Sequence, residues 1–294
     1  MKQIKVSDEF YNKIKKVVKE KGCTYGEAAQ SLEKVILKNF PHQNATDLIK
    51  CDECRPHVIE AIKKVIEDNG GTATWDVIYN NIEKYYPNIK VQKDWQAGIR
   101  GVFYRELYSN KYFKQIGFGI IGLIEFNQEK AENIEKDPIR MHSYIEGICI
   151  ELGNFEKLLT FTADPIAKYR DNIFLHQLIS LKELPNFTYT KIVDAAKRID
   201  VLWFNKSGFL FPQKAFEVID SIGTLGEALN RTYQLNEFNV DFIILGQEKN
   251  RNKFEDKVNR EPYKRIIERY KYKSYDEIIS FYNKKLELEK MSFF

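Results

Sequence analysis

Arg198-Ile-Asp-Val-Leu-Trp-Phe204 and Lys214-Ala-Phe-Glu-Val-Ile-Asp220 are the two stretches on which the reading of this chain turns. Each is a short run rich in β-branched and aromatic residues, and the turn formers Asn205-Lys-Ser-Gly208 and Pro212 lie between them. Together they read as two adjacent strands of a hairpin. Each strand carries an acid where a buried strand would have none: Asp200 opens the first and Glu217 sits in the middle of the second. A carboxylate among Ile, Val, Leu, Trp and Phe is costly unless a cation or hydrogen bonds compensate it. Hard divalent cations take oxygen ligands, usually one or two carboxylates completed by water and phosphate, so magnesium or manganese suits two such acids.

Outward from the hairpin the pattern extends in both directions. Ile139 to Leu152 read as a helix whose polar candidates are His142, Glu146 and Glu151, with Glu146 one turn from His142 on the same face. Lys157-Leu-Leu-Thr-Phe-Thr162 reads as a strand running into Ala163-Asp-Pro165, and the stretch around Leu181–Asn186 shows no clear period. After Asp220, Ser221-Ile-Gly-Thr-Leu-Gly226 lacks the Lys and the glycine spacing of a phosphate loop, which argues against a bound nucleotide. A helix over Leu225–Leu235 presents Arg231 and Gln234, and Val240–Gly246 is a continuous apolar strand that reads as interior. Residues 247–273 hold ten Lys and Arg against five Asp and Glu, a tract suited to a polyanion. Ser274-Tyr-Asp-Glu277 has the form of a cap for the last helix.

Read in this way, residues 142–282 resemble the PD-(D/E)XK nuclease superfamily, the fold of many restriction endonucleases. The resemblance implies an α/β domain with a central mixed sheet flanked by helices. It also implies a Mg2+- or Mn2+-dependent DNA endonuclease of restriction or phage-defence type, hydrolysing phosphodiester bonds. By its pattern Asp200 and Glu217 bind the metal, Glu146 on the first helix reaches the metal site, and Arg231 and Gln234 face the phosphate backbone. The third position of the E-x-K element is Ile219, a departure that removes the usual assistant to the attacking water. Asp220 follows, and alternation turns it away from Glu217 unless a bulge near Ile219 re-aims it into the site. Without that bulge the chain fits a catalytically degenerate nuclease fold acting as a DNA-binding regulator or assembly protein. An unrelated α/β domain in which the two acids are hydrogen-bonded structural groups is the third alternative.

Three segments precede this domain, which spans 138–290. In 51–127, Pro56 opens a helix with a stripe of Val58, Ile59, Ile62, Val65 and Ile66, Thr74 caps a second helix and Asp94 a third, and Phe113–Leu123 alternates with glycine punctuation. Three helices followed by a hairpin resemble a winged helix-turn-helix of the Mrr-type arrangement. That resemblance implies double-stranded DNA as partner, with Lys93, Gln96, Arg100 and Arg105 toward the major groove and Lys114 on a wing near the backbone. In 1–50, a short alternating strand and two capped helices resemble a ribbon-helix-helix module, which pairs its strand with that of a second copy and so implies a homodimer; a packed helical hairpin is the plainer alternative. Residues 128–138 are polar and end in proline, as a linker would.

Composition narrows the class further. Cys51-Asp-Glu-Cys54 is the only Cys-x-x-Cys, and Cys23, His42 and His57 are all that could complete it, in a spacing that fits no zinc finger, so no structural zinc is expected. Four cysteines in 294 residues make no disulfide framework, no apolar run has membrane length, and the start is charged, so a cytoplasmic protein is expected. A net charge of +4 says little by itself; the partner has to be argued from where the charge sits.

Overall fold

The computed structural model describes residues 55–126, except 92 and 110, and residues 137–292, together with Lys15 and Lys19. The ribbon-helix-helix segment, the Cys51–Cys54 pair and most of the linker lie outside the described residues. The chain divides into two compact units, Met1–Asp68 with Val77–Phe113, and Asn69–Asp76 with Lys114–Phe294.

In the first unit, α1 (Arg55–Asp68) buries Val58, Ile59, Ala61, Ile62, Val65 and Ile66, the stripe its helical spacing dictates. It packs against α3 (Trp95–Ser109), while α2 (Trp75–Asn81) leads into short 3-10 turns. Tyr79 meets Trp95 edge to face at 5.3 Å, and Asp68 receives a 2.5 Å hydrogen bond from Lys84.

The second unit is a mixed α/β domain with a mixed central sheet flanked by helices. In chain order it contributes α4 (Pro138–Phe155), β4 (Leu159–Thr162), a small antiparallel pair β5 (Lys168–Arg170) and β6 (Ile173–Phe174), α5 (Thr190–Ala196), β7 (Val201–Phe204), β8 (Pro212–Ile219) and α6 (Leu225–Tyr233). It closes with β9 (Asp241–Gly246), α7 (Arg251–Val258), β10 (Tyr270–Ser274) and α8 (Tyr275–Ser292). The five strands lie in the order β10-β9-β8-β7-β4, with β8, β9 and β10 parallel and β7 antiparallel to both neighbours. Alternation divides the sheet cleanly. Val201, Trp203, Phe216 and Val218 pack with Ile145, Ile148 and Cys149 of α4 and with Tyr275 and Tyr282 of α8, whereas Leu202, Phe204, Ala215 and Ile219 pack with Leu225, Ala228 and Leu229 of α6. The expected hairpin is present. Asn205 builds its turn by donating to the carbonyls of Ser207 and Phe209 and accepting from Phe211 N–H, and Gly208 takes a φ of 74° that favours glycine.

The basic tract 247–273 folds into a helix, a 3-10 turn and a strand. Tyr270, Tyr272 and Ser274 are buried and Lys271 and Lys273 exposed, which is the pattern of a half-buried strand. Two of the tract's arginines are drawn inward or to local acids: Arg269 donates to the carbonyls of Asn236 and Val240 at 2.6 and 2.9 Å, and Arg251 joins Glu248 and Glu277, while Lys249, Lys253, Arg260, Lys264 and Arg265 are exposed. The cap before α8 forms reciprocally, with Ser274 Oγ accepting from Glu277 N–H and the Glu277 carboxylate accepting from Ser274 N–H.

The glycine-punctuated hairpin, β2 (Phe113–Gly117) and β3 (Ile120–Leu123), pairs with β1 (Thr72–Thr74). Its turn is tied into the second unit rather than left standing as a wing. Phe118 N–H donates to Glu151 at 2.7 Å and the Phe118 ring lies 4.5 Å from that of Phe155. Arg170 donates to the Ile116 carbonyl at 3.0 Å and to Tyr282, whose hydroxyl in turn donates to Glu151 at 2.5 Å. Glu151 therefore serves this buried anchor, and Lys114, expected near DNA, donates to the Phe126 carbonyl at 2.5 Å. No helix among the described residues is long and apolar enough to cross a membrane.

Candidate metal centre

The polar residues of α4 and the ends of two strands meet at one end of the sheet. His142 and Glu146 are one helical turn apart, so they share the face that α4 lays on the sheet, and Glu146 is buried to 2 % exposure among Ile145, Ile148 and Cys149. Asp200 immediately precedes β7. Its main-chain carbonyl accepts from Thr162 Oγ1 at 2.9 Å and from Ala163 N–H at 3.1 Å, and its carboxylate accepts from Val218 N–H at 2.7 Å. Asp220 follows β8.

No bulge intervenes near Ile219. The pairing of β8 with β9 runs unbroken from Lys214 with Asp241 to Ile219 with Gly246, so Asp220 falls on the side of Val218, toward α4, and not on that of Glu217. There it meets His142 Nδ1 at 3.0 Å. The other ring nitrogen, Nε2, stands 3.6 Å from Glu146 Oε1 and 3.7 Å from Asp200 Oδ2. One donor atom from each of His142, Glu146 and Asp200 can be chosen so that all three lie within 4.8 Å of one another. Two ligand atoms each about 2.1 Å from one cation stand roughly 3–4 Å apart, so this trio fits a divalent ion.

Glu217 is not part of that group. It is fully buried, and Arg231 of α6 occupies both of its oxygens, Nε donating to Oε1 at 2.8 Å and Nη2 to Oε2. The strand pair of Asp200 and Glu217, expected to share the metal, is therefore divided: Asp200 turns to the histidine and Glu217 to the arginine. The lone acid in a core strand is compensated by a guanidinium fork that lies fourteen residues further on, a pairing that strand patterns do not reveal.

The electrostatics follow from crowding in a dry place. Burial would lower the His142 imidazolium, but Glu146, with Asp200 and Asp220 behind it, outweighs burial and raises it to about 9. Burial pushes Glu146 up to about 7 against the pull of His142. Asp200 is raised for the same reason, partly offset by His142 and the Val218 N–H, and burial pushes Glu217 up against the pull of Arg231. For His142 and Glu146 the folded pKa lies above the ordinary one, so the folded chain holds its protons more tightly than the unfolded chain. That contribution is complete below the unfolded values of 4.5 and 6.5 and is lost as pH rises through about 7 and about 9. In EDTA, the urea midpoint is expected to fall between pH 5 and pH 9, and to fall less in His142→Asn; a midpoint that rises over that range would contradict the assignment.

The other expected site residues are placed as follows. Gln234 is exposed, its side chain donating to the Asn230 carbonyl at 3.3 Å. In the first unit, Lys93 and Gln96 are exposed at the start of α3, Arg105 is exposed further along it, and Arg100 is half-buried, donating to the Tyr79 hydroxyl at 2.8 Å. Of the acids named from sequence, the structure brings Glu146, Asp200 and Asp220 together; the member that sequence did not promote is His142. Its signal was the His-x-x-x-Glu spacing on one helical face. Comparison with family models, with curated proteins and with solved structures found no match to this chain.

Proposed function

We propose that this protein is a metal-dependent phosphodiester hydrolase acting on double-stranded DNA, with its centre at His142, Glu146 and Asp200. One observation carries the reading: a buried carboxylate, a half-buried carboxylate and an imidazole nitrogen from two elements converge at an open end of the sheet. The succession α4, β4, β7, β8, α6, β9, with β5, β6 and α5 inserted, supports it, being the order of elements that the nuclease resemblance implies. A cation held there supplies positive charge for a phosphate oxygen and acidity for a water. The chain's own part is positional. Glu146 and Asp200 offer oxygens, His142 offers Nε2, and Asp220 fixes the ring. Arg231, spent on Glu217 by two of its donors, keeps about a quarter of its side chain exposed for a phosphate. Lys93, Gln96 and Arg105 on the first unit supply charge and donors for the duplex.

A second reading, a DNA-binding protein without cleavage, is favoured by one observation of its own. Strand β8 is regular through Ile219, so Asp220 turns away from Glu217, Ile219 packs in the core where the nuclease pattern has an assistant to the attacking water, and Glu217 is left to Arg231, as expected of a nuclease fold without the bulge. The two are separated by incubating supercoiled plasmid with the full chain and Mg2+ or Mn2+. Nicking that EDTA abolishes supports hydrolysis; retention of duplex with no cleavage under either metal leaves the binding reading, and no retention at low salt removes both.

A further inference from the structure

We infer that the centre is built for a first-row transition-metal cation, Mn2+ among them, in preference to Mg2+, and that Asp220 is the residue that positions His142 for it. The inference rests on the reading of this cluster as a metal centre and names the class of ion it takes. Three observations carry it, and none of them is a property of Glu217 or of the strand pair.

The first is the orientation of the imidazole. Asp220 Oδ2 stands 3.0 Å from Nδ1, and the opposite nitrogen faces Glu146 and Asp200. A carboxylate on one ring nitrogen draws the proton of a neutral imidazole to that side and leaves the other as a lone pair, the arrangement by which proteins fix a ligating histidine. Asp220 is exposed and sits beyond the last residue of β8, so its role is to hold a ring and not to fill the core.

The second is the state of Glu146. It is 98 % buried, and its Oε1 stands 3.6 Å from His142 Nε2. Buried carboxylates normally collect donors, as Asp200 does from Val218 and Glu217 from Arg231. Glu146 instead faces Nε2 and shares with it and Asp200 the space in which an ion would sit.

The third is the donor set. Mg2+ demands oxygen ligands and sheds its waters reluctantly, whereas imidazole nitrogen raises affinity along the first-row series. One nitrogen with two carboxylate oxygens therefore discriminates between Mn2+ and Mg2+, and the discrimination resides in a single residue.

The test uses the full chain stripped with EDTA. Mn2+ binding is read from loss of the free-ion electron paramagnetic resonance signal, and Mg2+ binding by calorimetry. One Mn2+ per chain, at least about 10-fold tighter than Mg2+, is expected, because the nitrogen donor counts for the first and little for the second. Asp220→Asn should weaken Mn2+ about 10–100-fold with its melting temperature in EDTA little changed, the range found when an outer carboxylate of a ligating histidine is removed. His142→Asn should bring the two ions to nearly equal affinity. Equal affinity in the unmodified chain, selectivity untouched by His142→Asn, or no saturable Mn2+ site would each overturn the inference. If His142→Asn does not fold, Asp220→Asn decides alone. Tight Mn2+ binding without DNA cleavage would keep this inference and remove the hydrolase reading; cleavage supported equally by Mg2+ and indifferent to His142→Asn would do the reverse.

Discussion

Replacing Arg231 with Met is expected to cost about 3 kcal/mol of folding stability, near the lower end of what is lost when one partner of a buried ion pair is removed. Glu217 has no solvent to turn to. It is fully buried on the face of β8 that carries Ala215 and Ile219, with both oxygens committed to Arg231. Without the guanidinium the carboxyl must protonate in place or drag water inward, and neither replaces the two charge-assisted hydrogen bonds. Arg231 keeps part of its side chain in water, which is why the cost is placed low in the range. The double replacement Arg231→Met with Glu217→Met should recover most of the loss, since an apolar pair of similar volume is often as stable as the ions it replaces. Urea unfolding of the single and double variants measures both quantities. A single variant within about 1 kcal/mol of the parent would mean that the pair is decorative.

The second large effect concerns chemistry. If the centre hydrolyses DNA as proposed, Asp200→Asn and Glu146→Gln should each reduce metal-dependent cleavage by on the order of 1000-fold, because a catalytic ion contributes several kcal/mol to the transition state and each decade of rate is about 1.4 kcal/mol. Duplex retention should persist, since neither residue supplies positive charge. Glu217→Gln should cost less than about 10-fold, because the amide still accepts from Arg231 and the residue lies outside the group around His142. The comparison separates two placements of the centre. Cleavage lost at Glu217 and kept at Glu146 would return the metal to the strand pair.

Much of the second unit was legible in the sequence because its strands obey the period of two. The hairpin of β7 and β8, the helix holding His142 and Glu146, the strand β9 and the cap at Ser274 all stand where apolar spacing and turn residues place them. The same parity says that Asp220 and Glu217 face opposite ways in a regular strand, and they do. Parity does not say which helix covers which face. Strand patterns alone therefore do not show that Glu217, on the α6 side, has both of its oxygens on Arg231. Composition by itself does not resolve the basic tract: most of its ten cations are exposed, but Tyr270 and Tyr272 are the buried half of a strand that charge counting does not reveal. Resemblance to a winged helix puts Lys114 on a wing near the DNA backbone; what it does not show is that Phe118 and Ile116 of the same hairpin are engaged by residues 151, 155 and 170, none of which is near them in sequence.

That engagement governs how the molecule can be cut apart. Arg170 and Glu151 are both buried, and the hairpin supplies each of them with a backbone group, the Ile116 carbonyl for the cation and the Phe118 N–H for the anion. A fragment that ends before the linker carries those two groups away and leaves opposite charges facing a hollow where a β-turn had been. A fragment that begins at the linker inherits the hollow. The boundary between the two compact units thus does not follow the polar stretch between Phe126 and Asp137: residues 69–76 and 114–126 belong with the second unit, so the chain crosses the boundary at Asp68–Asn69, at Asp76–Val77 and at Phe113–Lys114.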